Sequence, residues 1–96
     1  MITTKQRAML RSMANTIDTI LYIGKDGMVP NIVKAADDAL EARELIKGCV
    51  QQECPLSSRE ALNLLSEELG AEQVQCIGRR FVLYRPSKEN PRIVLP

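Results

Sequence analysis

Histidine and tryptophan are absent from this chain, and one phenylalanine and two tyrosines are its only aromatic side chains. Without histidine, the commonest general base at neutral pH and the commonest zinc ligand are both missing. The three cysteines are odd in number and form no C-x-x-C pair, which speaks against a disulfide framework and against a cysteine zinc site. Cys49 and Cys76 fall in predicted strands, where cysteine acts as a small buried hydrophobe, while Cys54 precedes Pro55 in a loop and is expected to be exposed. No nucleophile stands beside a base and no Walker-type spacing occurs, so neither catalysis nor a metal or cofactor is expected. The apolar runs are short and interrupted by charge, and the N-terminus lacks the apolar core of a signal peptide. A cytoplasmic protein without membrane contact is the expectation.

What is present is a segregated charge. Residues 1–34 carry five Lys/Arg against two Asp/Glu, residues 35–72 carry three against nine, and residues 73–96 carry five against one. The net charge of +1 therefore hides a basic start, an acidic middle and a basic end. If the two ends meet in the fold, they supply local positive potential for a polyanion, and the acidic middle is free to face a basic partner.

At 96 residues the chain is long enough for one modest core and reads as a single domain over 1–96. Thr3 or Thr4 caps a first helix reaching Ala14, with Met9, Leu10 and Met13 on one face and Arg7 and Arg11 on another. Residues 19–23, β-branched and aromatic, read as a strand apolar on both parities and so covered on both faces. Pro30 suits the first position of a second helix whose Val33, Ala36 and Leu40 form a buried stripe and whose Asp37, Asp38 and Glu41 face water. Residues 45–51 read as a second strand in which Gly48 marks close packing. Ser57-Ser58-Arg59-Glu60 is a capping box that opens a third helix, and Gly70 stops it. Residues 73–77 and 81–85 form a hairpin around Gly78-Arg79-Arg80, and the tail from Ser87 is either loose or a short edge pairing. The order is α-β-α-β-α-β-β. Right-handed crossovers make the first three strands parallel, and the hairpin reverses the fourth.

Gly24-Lys25-Asp26-Gly27 joins the first strand to the second helix. Glycines lacking Cβ let the backbone lie against a phosphate, Lys25 adds a charge, and the helix that follows turns its electropositive end toward the same region. The same four residues also describe an ordinary tight turn. Asp26 makes the loop formally neutral, so any attraction for phosphate has to come from amides, helix field and neighbouring cations.

Tyr22-Ile23-Gly24-Lys25-Asp26-Gly27-Met28-Val29, Glu44-Leu45-Ile46-Lys47 and above all Gln75-Cys76-Ile77-Gly78-Arg79-Arg80-Phe81-Val82-Leu83-Tyr84-Arg85-Pro86 resemble the CRM-domain proteins, specifically their small stand-alone bacterial YhbY-like members. That resemblance covers nearly the whole chain. It implies an α/β (α+β) fold like the C-terminal domain of translation initiation factor three, with a mixed four-stranded sheet in order 1-2-4-3 and an added N-terminal helix. It also implies RNA binding and association with the precursor of the large ribosomal subunit. Plant relatives act in organellar intron splicing with several copies of the domain, and a lone copy favours ribosome maturation.

By the same resemblance Gly24, Lys25, Asp26 and Gly27 contact the RNA backbone. Lys5, Arg7 and Arg11 on the first helix and Arg79, Arg80, Arg85 and Lys88 near the hairpin are candidates for a basic surface extending that site. Tyr22 and Tyr84 lie in inner strand segments and are expected in the core, so no aromatic platform is foreseen and recognition should follow RNA shape and backbone. The partners expected are large-subunit ribosomal RNA or its precursor, with ribosomal proteins as further contacts. A KH domain shares the I-G-x-x-G start, but its loop joins two helices, and Pro30 here stands where a KH helix would continue. The alternative from another class is a protein-binding adaptor that docks a basic ribosomal or assembly partner through the acidic helices.

Overall fold

The computed structural model describes residues 2–95. Its elements run α1 (Thr4–Ala14), β1 (Thr19–Ile23), α2 (Pro30–Arg43), β2 (Leu45–Val50), α3 (Ser58–Leu69), β3 (Glu72–Ile77) and β4 (Arg80–Tyr84). The sheet has the order β1-β2-β4-β3, with β1 and β2 parallel and β4 antiparallel to both its neighbours. This is the mixed sheet that the resemblance implies.

Local chemistry sets the helix ends. Thr3 accepts from the Gln6 N–H while the Gln6 side chain accepts from the Thr3 N–H, and Ser57 and Glu60 repeat the arrangement at α3. Each box satisfies two amides that a helix start leaves without partners, worth about 1 kcal/mol per cap. The Ser57 backbone and side-chain hydrogen bonds hold the Glu60 carboxyl below the usual range. Gly70 ends α3 in the left-handed conformation. Between α2 and β2 no glycine is available, and Glu44 makes the turn at φ 67°, the only non-glycine among the described residues with positive φ.

The two faces of the sheet bury different clusters. α2 and α3 cover one face, where Leu21, Ile23, Ile46, Phe81 and Leu83 meet Ala36, Leu40, Leu62 and Leu65. β4, at an inner position, is buried on both sides from Phe81 to Tyr84, as its apolar run requires. Gly48 of β2 lies opposite Phe81, and a Cβ there would fall 2.6 Å from the ring's Cε1. The glycine therefore opens the space that a fully buried ring fills, a burial worth about 2 kcal/mol.

α1 covers the other face only in part. Leu10 and Ala14 pack with Leu45, Val74, Val82 and Tyr84, joined at the margin by Met13, Ile17, Ile93 and Leu95. Tyr84 is buried as expected, and its burial, followed by the charge of Glu44, pushes the phenol up. The expectation for Tyr22 fails: it is 54% exposed. It sits on an edge strand, on the α1 face and paired with Cys49, beyond the β2, β3 and β4 positions on which α1 packs.

The acidic face of α2 is also less open than its composition suggests. Only Asp38 of the three is exposed, in an ion pair with Lys34. Asp37 pairs with Arg85, and Glu41 accepts from the Lys88 N–H and the Ser87 hydroxyl. The tail is neither loose nor a strand. Glu44, fully buried, accepts from the N–H groups of Ser87, Arg92 and Ile93 at 2.7, 2.7 and 2.8 Å and folds the tail back on the body.

Candidate nucleic-acid interface

The strand directions decide which loops meet. β1, β2 and β3 all end at one rim of the sheet and β4 begins there, so the 24–27 loop, the 51–57 connection and the Gly78-Arg79 turn share that rim. Hydrogen bonds tie the three together. The Gln51 N–H donates to the Ile23 carbonyl at 2.8 Å, the Val50 N–H to the Arg79 carbonyl at 2.8 Å, and the Ser58 hydroxyl to the Gly78 carbonyl at 2.6 Å.

The 24–27 loop is a tight turn closed by the Gly27 N–H on the Gly24 carbonyl at 3.0 Å. Gly27 is buried at φ 70°, and a Cβ there would stand 3.2 Å from the Pro55 ring; one at Gly24 would meet Gln51 Oε1 at 2.9 Å. Gly27 is therefore needed by the turn itself, whereas a side chain at Gly24 would have to displace only the flexible end of Gln51. Lys25 and Asp26 form its exposed tip. The depression beside it gathers Lys25, Asp26 and Glu53, one positive charge against two negative. An isolated phosphate cradle would carry the opposite balance.

Positive charge collects around β3 instead. One depression is lined by Arg7, Arg11 and Arg59, and a second by Lys47, Arg79 and Arg80; Gln75 belongs to both. Neither lining contains a carboxylate. Arg7 is fixed by its Nε–H, which donates to the Gln73 carbonyl at 3.1 Å, and Arg59 donates to the Gln73 side chain at 3.2 Å. Those contacts hold the two guanidinium groups at the edge of β3 while Arg11, Arg79 and Arg80 stay exposed. The basic chain ends thus do meet in the fold.

Other residues proposed from sequence lie elsewhere. Arg85 is buried, with Nη1 donating to Asp37 Oδ1 at 2.7 Å and to the Leu69 carbonyl at 3.1 Å, and Nη2 donating to the Asp37 carbonyl at 3.2 Å. It is a structural cation, unable to meet a ligand. Lys88 is exposed but follows the C-terminal end of β4, at the rim opposite the 24–27 loop, because β4 runs antiparallel to β1 and β2. Lys5 is exposed on the first turn of α1 and lines neither depression.

Lys47 and Arg59 line these depressions without having been singled out by sequence reasoning, which placed Tyr22 in the core. The parity of β2 was available as a signal for Lys47: it alternates with Ile46 and Gly48, which face the α2 and α3 side. Arg59 stands three residues before the buried Leu62, one turn along α3 toward β3. Cys49, Cys54 and Cys76 are each half-buried, so Cys54 is less exposed than a loop position suggests.

Comparison with known proteins identifies the family. The CRS1/YhbY (CRM) domain matches residues 2–85. The chain is 43% identical to "Probable RNA-binding protein YqeI" of Bacillus subtilis over 96 residues, covering 100% of both chains. It is 34% identical to an "RNA-binding protein" of Haemophilus influenzae over 95 residues, covering 99% of this chain and 95% of the other. The solution structure of SAV1595 from Staphylococcus aureus, described as a candidate RNA-binding protein, superposes with a TM-score of 0.74 at 46% identity, with 100% of each chain covered. A match along the domain's length, carried by relatives of equal size and by a solved structure with the same fold, makes this chain a member of the CRS1/YhbY (CRM) domain family.

Proposed function

We propose that this chain is a cytoplasmic RNA-binding protein that associates with precursor large-subunit ribosomal RNA during ribosome maturation. The observation that carries the RNA part is the pair of adjoining depressions with six cations and no carboxylate. A surface of that kind gains affinity for a polyanion by releasing its counterions. The relatives, named as RNA-binding proteins, supply the class of polyanion. The ribosomal assignment rests on the family resemblance.

In this reading the 24–27 loop is an accessory contact. It offers the exposed Lys25 and turn amides at the rim, while the neighbouring cations supply the attraction that Asp26 and Glu53 oppose. The helical layer of α2 and α3 lies on the other face of the sheet from Lys47 and Arg80 and, away from Arg59 at the β3 edge, exposes Asp38, Glu67 and Glu68. That separation leaves room for a basic ribosomal or assembly protein on the acidic side while RNA occupies the basic side.

Filter binding to large-subunit ribosomal RNA fragments over a range of salt concentrations tests the reading. Affinity should fall linearly on log-log axes, with a slope set by the number of phosphates neutralised. Absence of binding at low salt, together with a protein partner that survives nuclease treatment, would leave the adaptor reading in its place.

A further inference from the structure

The part of the sheet that α1 leaves open carries one lateral row of side chains through all four strands. Tyr22 pairs with Cys49, Cys49 with Arg80, and Arg80 with Ile77, so the four lie side by side on one face. The row spans three inter-strand steps, about 14 Å. Its two ends are the exposed apolar groups, Tyr22 at 54% and Ile77 at 65%, and Arg80 stands between them. Lys47, two residues before Cys49 on the same face, adds a second cation.

Tyr22 is not simply left over at this position. Its hydroxyl donates to the Thr19 carbonyl at 3.3 Å, which leans the ring back along β1.

We infer that this row binds an unpaired stretch of RNA, with a base stacked on Tyr22 and flanking phosphates on Lys47 and Arg80. The inference rests on the RNA-binding reading above and narrows it to single-stranded RNA at this face. A base inside a duplex has both faces covered by its neighbours, so a stacking side chain selects bases that are free. The charge favours a nucleic acid over a second copy of the chain, because a two-fold face-to-face dimer would set Arg80, Arg79 and Lys47 against their own counterparts. It also adds base stacking to the expectation that recognition follows RNA shape and backbone, an expectation that placed Tyr22 in the core.

The test compares a short oligouridylate with a blunt RNA duplex of similar length, using the intact chain and its Tyr22→Ala and Tyr22→Phe variants. Tyr22→Ala should weaken oligouridylate binding about tenfold and leave duplex binding unchanged. Tyr22→Phe, which keeps the ring, should bind the oligouridylate as the parent does. With no tryptophan and with Tyr84 buried, quenching of tyrosine emission by oligouridylate should be lost in Tyr22→Phe. Equal losses for both RNAs, or no loss for either, overturn the inference while RNA binding stands. So does a Tyr22→Ala variant whose sole defect is release of a protein partner from nuclease-treated extract. A parent protein that binds neither RNA at low salt overturns the RNA reading itself.

Discussion

Arg85 and Asp37 form an unequal ion pair: the arginine side chain is 9% exposed and the aspartate 47%, with 2.7 Å between Nη1 and Oδ1. The arginine depends on the bond more than its partner does. Its Nε–H is buried without a partner among the described residues, and its other contacts are backbone carbonyls.

That inequality predicts unequal mutants. Asp37→Ala leaves a buried guanidinium without its counter-charge and should cost about 3 kcal/mol. Arg85→Met leaves a carboxylate that water can reach and fills much of the vacated volume, for a cost of about 1 kcal/mol. Urea unfolding of both variants measures the difference, and equal losses would contradict the asymmetry.

Glu44 ties stability to acid. Burial pushes its carboxyl up, but the N–H groups of Ser87, Ile93 and Arg92 and the Arg92 charge outweigh burial and hold it below the ordinary value of 4.5. A carboxyl lowered in the folded state contributes stability that is complete above its unfolded pKa and is lost as pH falls through the folded value. Thermal melts from neutral pH to about pH 3 should therefore show a smaller acid-dependent loss for Glu44→Gln than for the parent. Glu41, lowered by the Ser87 hydroxyl and the Lys88 amide, should preserve some slope in the variant. Amide exchange in residues 87–93 should quicken in Glu44→Gln, since the tail loses its charged anchor.

The placement of the cations predicts their separate effects on RNA binding. Arg80→Ala and Lys25→Ala should each reduce the log-log salt slope by roughly 0.7 to 1, the contribution of one phosphate. Lys88→Ala, at the opposite rim, should leave the slope unchanged. Asp26→Asn should tighten binding by removing the negative charge at the loop tip. Gly27→Asp is unsuitable as a probe of contact: the position is buried at φ 70° beside Pro55, and the variant should lose cooperative melting.

The helices and strands were legible because their signals are local. Capping boxes at Thr3 and Ser57, Pro30 at a first turn and Gly70 at a last one act within a few residues of themselves. Long-range pairing was not legible. Arg85 looks like a surface cation after an apolar strand, and its partner stands 48 positions earlier in the chain. Tyr22 looks like core because its strand is apolar on both parities, and only the path of α1 across the sheet shows that cover stops short of it. The 24–27 loop was legible as a turn, whereas the charge around it depends on Glu53, which the fold brings to its side.

Val50 and Gln51 sit side by side at the end of β2, and their two amides reach in opposite directions, one to Arg79 and the other to Ile23. The arginine turn and the glycine loop are consequently mounted on a single dipeptide, like the jaws of a caliper locked at one opening. A ligand long enough to touch both meets a spacing already set, so the ordering entropy of engagement falls on the ligand's chain and hardly on the protein's. Under the proposed function, RNA segments whose own fold already matches that opening would gain most from it, and discrimination between RNAs would arise from a distance as well as from any base.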